Sequence, residues 1–375
     1  MKIAFLDQPG MTYTANTPYE QPLGGTQSAA CYLSAALARR GHTTTLISDG
    51  THDREVLGVR CVGREAHRLR DVLNEHDVVI VLSVPIGSKL DQIDVGIPRV
   101  VWQHLAADFA TVRPHFVEPE RSAWQGHVYV SQHQRAAYIA NGGRAGVVIG
   151  NGACPAFLTE RPLEPSFVER GESPRMIFSS APGRGLDFLL TAFPSLRRRF
   201  PGLTLTLCTG LSLYQVPRDE DRFSIYYDWA AALEGVEVRG PLAQPELAKV
   251  MRHADLWAFP SRVTESACIA MMEAGLSGCR LIACELGAIP ETSGGHARLL
   301  PLVKHRLGWV ERFVEGVSAE IDIIRRDPVS ANRCREEARS WFRARCNWDS
   351  KAAEWEIFLQ GLVVGHTSSD SSPSR

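Results

Sequence analysis

Residues 78–82 read VVIVL, with no polar side chain among them. Successive side chains on a strand point to opposite faces. Such a run must therefore be covered on both faces, which is the mark of a parallel sheet between layers of helix. Similar runs occur at Lys2–Leu6, Thr43–Ser48, Arg99–Gln103, Gly126–Ser131 and Ala145–Ile149, with helical stretches at Thr26–Arg40 and Leu69–Asn74. Strands alternating with helices predict a doubly wound α/β architecture.

The rhythm breaks over 155–174, where Pro155, Pro162, Pro165 and Pro174 stand among polar and charged residues, a composition that reads as a linker and hinge. It then restarts. Strands are expected at Met176–Ser179, Leu203–Cys208, Val236–Val238, Leu256–Phe259 and Arg280–Ala283, and helices at Leu186–Arg199, Pro245–Met251 and Ala267–Leu276. A length of 375 residues suits two domains of this kind. We place them at 1–155 and 172–345. Ala352, Trp355, Leu359 and Leu362 recur at helical spacing, so 349–364 reads as an amphipathic helix that must pack on something. The Ser-rich end, 366–375, is expected to be disordered.

Lys and Arg number 41 and Asp and Glu 42, for a net charge of −1. That balance gives no field for nucleic acid or an anionic bilayer. The 9 cysteines include no CxxC and no zinc-binding spacing, which is the usage of a reduced, cytoplasmic protein. The N-terminal apolar run stops at Asp7 and Pro9, too early for a signal peptide, and no stretch is long enough to span a bilayer.

In open parallel sheets, ligands bind beyond the C-terminal strand ends. Four places qualify. Gly24-Gly25 precedes a helix and leaves bare amides for a phosphate; the plainer alternative is a pair of glycines serving an unusual backbone angle. No GxGxxG follows the first strand, which argues against a nicotinamide cofactor. His104 ends the strand RVVWQ and could hold a substrate hydroxyl or carry positive charge. Arg184 lies between Gly183 and Gly185 in a strand-to-helix loop, where a guanidinium suits a diphosphate.

The fourth place is PSRVTESACIAMMEAGLSGC, residues 260–279, with Glu265 at the mouth of a helix read as starting near Ser266. Glu273 would lie about 12 Å along its axis. It sits in an apolar run where an ionised carboxylate is costly unless paired. The alternative is a helix-capping Glu265 with an incidental Glu273.

The block HADLWAFPSRVTESACIAMMEAGLSGCRLIACELGAIPET (253–292) resembles the signature of retaining glycosyltransferases of family 4, which have the GT-B fold. Its two glutamates separated by seven residues match Glu265 and Glu273. Gly24-Gly25, His104, VVIGNG (147–152) and SSAPGRGLDFLLTAF (179–193) fall in the family's order. The resemblance implies two Rossmann-like domains facing a central cleft, the first on the acceptor side and the second binding the nucleotide sugar, with the C-terminal helix crossing back to the first. It implies that Glu265 contacts the donor sugar and Glu273 the ribose hydroxyls. The amides of Ser266, Ala267 and Cys268 would meet phosphate or sugar oxygens, and Arg184 would take the usual Lys position at the diphosphate. Gly25 would admit the phosphates closely, and His104 would bind a sugar hydroxyl near the anomeric carbon. The family's usual Arg position is Ser179 here, which lowers the positive charge expected at the phosphates; Thr-Glu-Ser stands at 264–266 in place of the commoner Glu-Gly-Phe type, so a different sugar pocket is expected.

The implied reaction is retaining hexosyl transfer from a nucleotide-diphosphate sugar to an acceptor hydroxyl of a glycan, lipid-linked or small molecule. No cofactor and no metal are expected, in keeping with the lack of a DxD between apolar strand residues. The alternatives are a sugar-nucleotide epimerase of the same fold and a binding protein without turnover.

Overall fold

The computed structural model describes residues 1–8 and 10–370; Pro9 and 371–375 lie outside them. The chain divides into two compact units. Met1–Pro18, Gly24–Gly152 and the chain from Asn347 on make the first; Tyr19–Leu23 and Ala153–Cys346 make the second.

The first unit is built on β1 (Lys2–Leu6), β2 (Thr43–Ser48), β3 (Asp53–Val56), β4 (Val59–Gly63), β5 (Val78–Leu82), β6 (Arg99–Gln103), β7 (Gly126–Tyr129) and β8 (Val147–Val148). Their order is β3-β4-β2-β1-β5-β6-β7-β8, and β3 alone runs antiparallel to its neighbour. The VVIVL run is buried throughout. The chain winds outward from β1 to β2 and β4, then returns to place β5 on the other side of β1. The strand order therefore reverses between β1 and β5. The β3–β4 hairpin, absent from the sequence reading, turns on Leu57 and Gly58 at φ 55° and 76°. Two left-handed residues match the twist of a tight hairpin, but leucine in the first place hides the turn. The last strand is shorter than Ala145–Ile149, pairing only through Val147 and Val148.

The helix Trp348–Asp370 packs on this unit, burying Trp348, Ala352, Trp355 and Leu359. Its rings meet Trp102 at 6.2 Å (Trp348) and 5.1 Å (Trp355), and Asp349 accepts from Arg39 at 2.6 Å. Against the expectation of disorder from 366, the helix continues to Asp370. Residues 366–370 hold neither glycine nor proline to interrupt its ladder; the rest of that tail, 371–375, is outside the described residues.

The second unit holds β9 (Arg175–Phe178), β10 (Thr204–Leu207), β11 (Val236–Val238), β12 (Leu256–Phe259), β13 (Arg280–Cys284) and β14 (Ala297–Leu300), in the order β11-β10-β9-β12-β13-β14. All its ladders are parallel. Here the reversal falls between β9 and β12. Trp257 and Phe259 stack at 4.8 Å in its core. Two long helices missed by the strand-helix rhythm, Arg306–Arg326 and Pro328–Arg345, complete the unit. Asp327 caps the latter, accepting from the Ser330 amide at 2.9 Å.

The 155–174 segment is not a free linker. Carbonyls that no ladder satisfies are taken by guanidinium groups: Arg335 donates to Glu164 O at 3.0 Å, and Arg339 to Thr159 O at 2.6 Å. Asp255 accepts from the Phe167 amide at 3.2 Å and from Arg170 at 3.1 Å. This segment therefore belongs to the second unit.

Gly275, on the helix Ile269–Leu276, faces Phe342 so closely that a Cβ would lie 2.2 Å from the ring. Alanine is the better helix former by about 1 kcal/mol, but Phe342 is fully buried and has no room to retreat. Overpacking wins: Gly275→Ala should destabilise the second unit by about 1–3 kcal/mol, read as a lowered urea midpoint. An unchanged midpoint would refute this packing.

Candidate functional site

The strand-order reversal in the second unit brings two loops together. The loop after β9 carries Arg184; the loop after β12 carries Glu265. Gly185 sits between Arg184 and the helix Leu186–Arg199 at φ 98°, and a Cβ there would fall 2.7 Å from the Pro260 carbonyl oxygen. Only glycine meets both demands. Trp309 donates to that same carbonyl at 3.2 Å. With the loops so close, Arg184 Nη1 donates to Glu265 Oε1 at 2.7 Å. A second close approach supports Glu265 from behind: a Cβ on Gly287, at φ 63°, would lie 2.5 Å from Glu265 O, and the Ala288 amide donates to that oxygen at 2.8 Å.

Glu265 is buried, which pushes its carboxyl up, while the Arg184 charge pulls it down. Glu273 is buried as well, but burial acts on it alone and raises its carboxyl from 4.5 to about 8. It has no hydrogen-bond or ion-pair partner among the described residues. Both carboxyls are thus held above the usual carboxylate range by burial, and only Glu265 has a cation, Arg184, drawing it back.

The helix starts later than the sequence reading has it. It spans Ile269–Leu276, with Cys268 as its N-cap and the Met272 amide the first to bond four residues back, to Cys268 O at 3.3 Å. The amides at the helix mouth are thus those of Cys268, Ile269 and Ala270. Ser266 and Ala267 lie in the preceding loop, and so does Glu265; the helical spacing of Glu265 from Glu273 does not apply. The SACI segment carries no capping side chain to mark the start.

Ser179, in the position where arginine is usual, is buried, and its hydroxyl accepts from Trp257 Nε1 at 3.2 Å. Its place is structural. One residue the sequence reading passed over is Tyr214. It is exposed, on the loop after β10, within electrostatic reach of both Arg184 and Glu265. Asp221 secures the base of that loop, accepting from the amides of Leu211 at 3.1 Å and Phe223 at 2.8 Å and from Tyr227 OH at 2.7 Å. Nothing in the local sequence marks Tyr214, since its neighbours come from other strands.

In the first unit, Gly24 precedes the helix Gly25–Arg39 with φ −59° and ψ 148°. Any residue adopts those angles, so Gly24 does not serve an unusual backbone; it leaves the helix mouth bare. The Ser28 amide makes the first bond back, to Gly24 O at 2.9 Å. Beside this mouth Asp7 ends β1, accepting from Gln27 Nε2 at 2.9 Å and Tyr13 OH at 2.8 Å. His104 follows β6 on the same edge of the sheet. Burial lowers its imidazole from 6.5 to about 4, so it is neutral near pH 7 and does not carry the positive charge allowed for it above. Its two ring nitrogens are buried and, among the described residues, make no hydrogen bond of good geometry.

No group of three or more His, Cys, Asp or Glu able to hold a metal ion occurs among the described residues, and no described helix is long and apolar enough to cross a membrane.

Residues 174–315 match the family described as glycosyl transferases group 1. Over 199 residues the chain is 32% identical to a GDP-mannose-dependent alpha-(1-6)-phosphatidylinositol monomannoside mannosyltransferase of Mycobacterium tuberculosis, a match covering 51% of this chain and 48% of the relative. The chain thus spans about half the length of the curated relatives it matches. Among solved structures, a sucrose-phosphate synthase from Thermosynechococcus elongatus superposes with a TM-score of 0.70 at 16% identity, covering 97% of this chain and 99% of the other. An Anabaena HepE structure in complex with UDP-glucose superposes with a TM-score of 0.67 at 18% identity, covering 96% and 100%. Residues 174–315, within the second unit, are thus similar to the group 1 glycosyltransferases, and the chain as a whole has the GT-B fold.

Proposed function

We propose that this chain is a retaining hexosyltransferase, moving a sugar from a nucleotide-diphosphate donor to an acceptor hydroxyl without a metal or other cofactor. The observation that carries the reading is the arrangement at the β9/β12 reversal: a guanidinium paired with a buried carboxylate, a helix mouth, and a second buried carboxyl that none of the described residues satisfies. Diphosphate takes the guanidinium and the helix amides. A polyhydroxylated sugar supplies donors to Glu265, and ribose hydroxyls supply them to Glu273.

When the bond to the leaving phosphate breaks, negative charge grows on that phosphate, and Arg184 and the amides of Cys268, Ile269 and Ala270 stabilise it. Positive charge grows on the sugar ring, near the Glu265 carboxylate. Attack by the acceptor on the face that the phosphate leaves retains configuration, and the departing phosphate takes the acceptor's proton. In the first unit, the bare mouth at Gly24-Gly25 suits phosphate, and the neutral His104 imidazole suits a sugar hydroxyl. Glycan, lipid-linked or small-molecule hydroxyls are the acceptor classes, and the cytoplasm is the compartment. The mycobacterial relative is named for GDP-mannose and the Anabaena structure holds UDP-glucose; the bases differ, so the donor is set by experiment.

Melting the protein with UDP, GDP, ADP and their sugars should single out one base, since a ligand at about 100 times its Kd adds ~2.7 kcal/mol. No response to any nucleotide would sink the reading. With the right donor, Arg184→Ala should lower kcat by about 10²–10³, and Glu265→Ala should abolish transfer with the fold intact by circular dichroism. Nucleoside diphosphate released only when acceptor is present separates transfer from mere binding.

Glu273 yields a second test. Its raised carboxyl means that between about pH 5 and about pH 8 the folded chain holds a proton the unfolded chain has lost, so its contribution to stability falls as pH rises through that window. Glu273→Gln removes the dependence. The variant should gain in melting temperature over wild type as pH rises, by a few degrees at about pH 8, and yet bind nucleotide at least ~10-fold more weakly. A variant that is less stable at about pH 8, or that binds nucleotide as wild type does, contradicts the role given to Glu273.

A further inference from the structure

His104 is held on three sides within the first unit. Its amide donates to Ser83 Oγ at 2.8 Å. Its ring packs on Trp102, with centroids 4.4 Å apart and planes at 55°. The third neighbour is Asn151, whose carboxamide adjoins the imidazole, as does the backbone of Trp102, a second group able to accept an N–H. Asn151 is 3% exposed, and among the described residues its Oδ1 makes no hydrogen bond of good geometry, nor does either nitrogen of His104. An acceptor lacking a donor thus lies beside a ring that, when neutral, has one N–H to give.

The position of Asn151 is as constrained as that of the ring. The next residue, Gly152, presses so closely on Trp348 that a Cβ would lie 2.8 Å from the indole. Trp348 in turn meets Trp102 edge-on at 6.2 Å, and Trp355 meets it at 5.1 Å. Trp102, His104, Asn151, Gly152 and Trp348 therefore form a closed ring of contacts, fastened by the first turns of the C-terminal helix. Such packing leaves neither side chain free to turn away. No ionised side chain among the described residues contributes to the surroundings of His104. His115, donating through Nε2 to the Ser83 carbonyl at 3.1 Å, is itself kept neutral by burial.

We propose that Asn151 is a positioning residue: its Oδ1 accepts the N–H of one imidazole nitrogen of His104, fixing the neutral tautomer whose other nitrogen is the free acceptor for a substrate hydroxyl. An unfixed ring would spend part of its time presenting an N–H to the substrate instead, and an N–H cannot accept from a hydroxyl. A carboxamide does this without adding charge. A carboxylate in its place would favour the imidazolium, which has no acceptor at all. The inference rests on the substrate role given to His104 above.

The test reads the ring directly. Nitrogen NMR of the histidine-labelled, full-length protein without substrate should show His104 as one neutral tautomer. Asn151→Ala should give a mixture of tautomers, with kcat down by up to about 10²-fold and donor KM little changed. Asn151→Asp, nearly isosteric, should raise the His104 titration midpoint by more than about one pH unit and move the acid limb of the rate profile with it. Mixed tautomers in the wild type, or an unchanged His104 spectrum in both variants, would overturn the proposal. A tautomer that shifts as expected while transfer continues at the wild-type rate leaves the positioning by Asn151 standing and removes the substrate role of His104.

Discussion

Everything at the β9/β12 reversal depends on one backbone contact, that of Gly185 with Pro260. A Cβ 2.7 Å from a carbonyl oxygen cannot exist, and φ 98° is strained for any side chain. The contact sets the separation of two loops, and that separation lets Arg184 reach Glu265. Two unit charges about 4 Å apart attract by roughly 4 kcal/mol at an effective dielectric of 20, but burying them costs desolvation of similar size. The pair is therefore a weak source of stability. Its value is geometric: it keeps a guanidinium and a carboxylate poised side by side, each able to exchange its partner for a better one.

The two units reach comparable arrangements by the same topological means. Each sheet grows outward from a first strand, β1 or β9, and then returns to that strand's other side. At the return, two adjacent loops diverge and leave room beyond the strand ends. In the first unit this edge holds Asp7, the bare helix mouth at Gly24-Gly25 and, one strand past β5, His104. In the second it holds Arg184, Glu265 and the helix mouth at Cys268. What differs is charge. The second unit places a cation and a carboxylate at the edge. The first offers amides, a histidine that burial keeps neutral, and an aspartate already engaged by Gln27 and Tyr13.

The sequence makes some of this plain and hides the rest for definite reasons. VVIVL and LWAF are local signals, and the central parallel strands of both sheets follow from runs of this kind. The hairpin at Leu57-Gly58 lacks the Asn or Asp that would announce it. The helix Pro328–Arg345 does carry a signal, Asp327 before Pro328, the N-cap and first-position pair; strand-to-strand reading passes over it because no strand follows. The helix start at Ile269 is masked by apolar residues on both sides. Tyr214 and Asn151 illustrate a different limit. Each is defined by what it lies beside, and those neighbours come from other strands: no local pattern marks Tyr214, and VVIGNG includes Asn151 without showing what it meets. The proline-rich segment at 155–174 misleads for a related reason: its composition is that of a linker, but Arg335 and Arg339 from a distant helix strap it down.

Glu273 and His104 are opposite in charge type, yet burial moves both toward neutrality, one by holding a proton and the other by refusing one. A site for a sugar nucleotide needs many hydrogen bonds to hydroxyls and few net charges, and neutral buried groups supply those bonds without repelling or trapping the phosphates. In the second unit the proposed phosphate site would draw its positive charge from Arg184 and the helix mouth at Cys268, since Ser179 adds none and spends its hydroxyl on Trp257. The electrostatics are thus divided by place. Under the proposed function, Arg184 and the helix mouth at Cys268 would meet the leaving group, and within the same unit the neutral Glu273 carboxyl would read the ribose. An unsatisfied buried group destabilises the free protein, and this chain bears that cost at both sheet edges, where a bound ligand would relieve it.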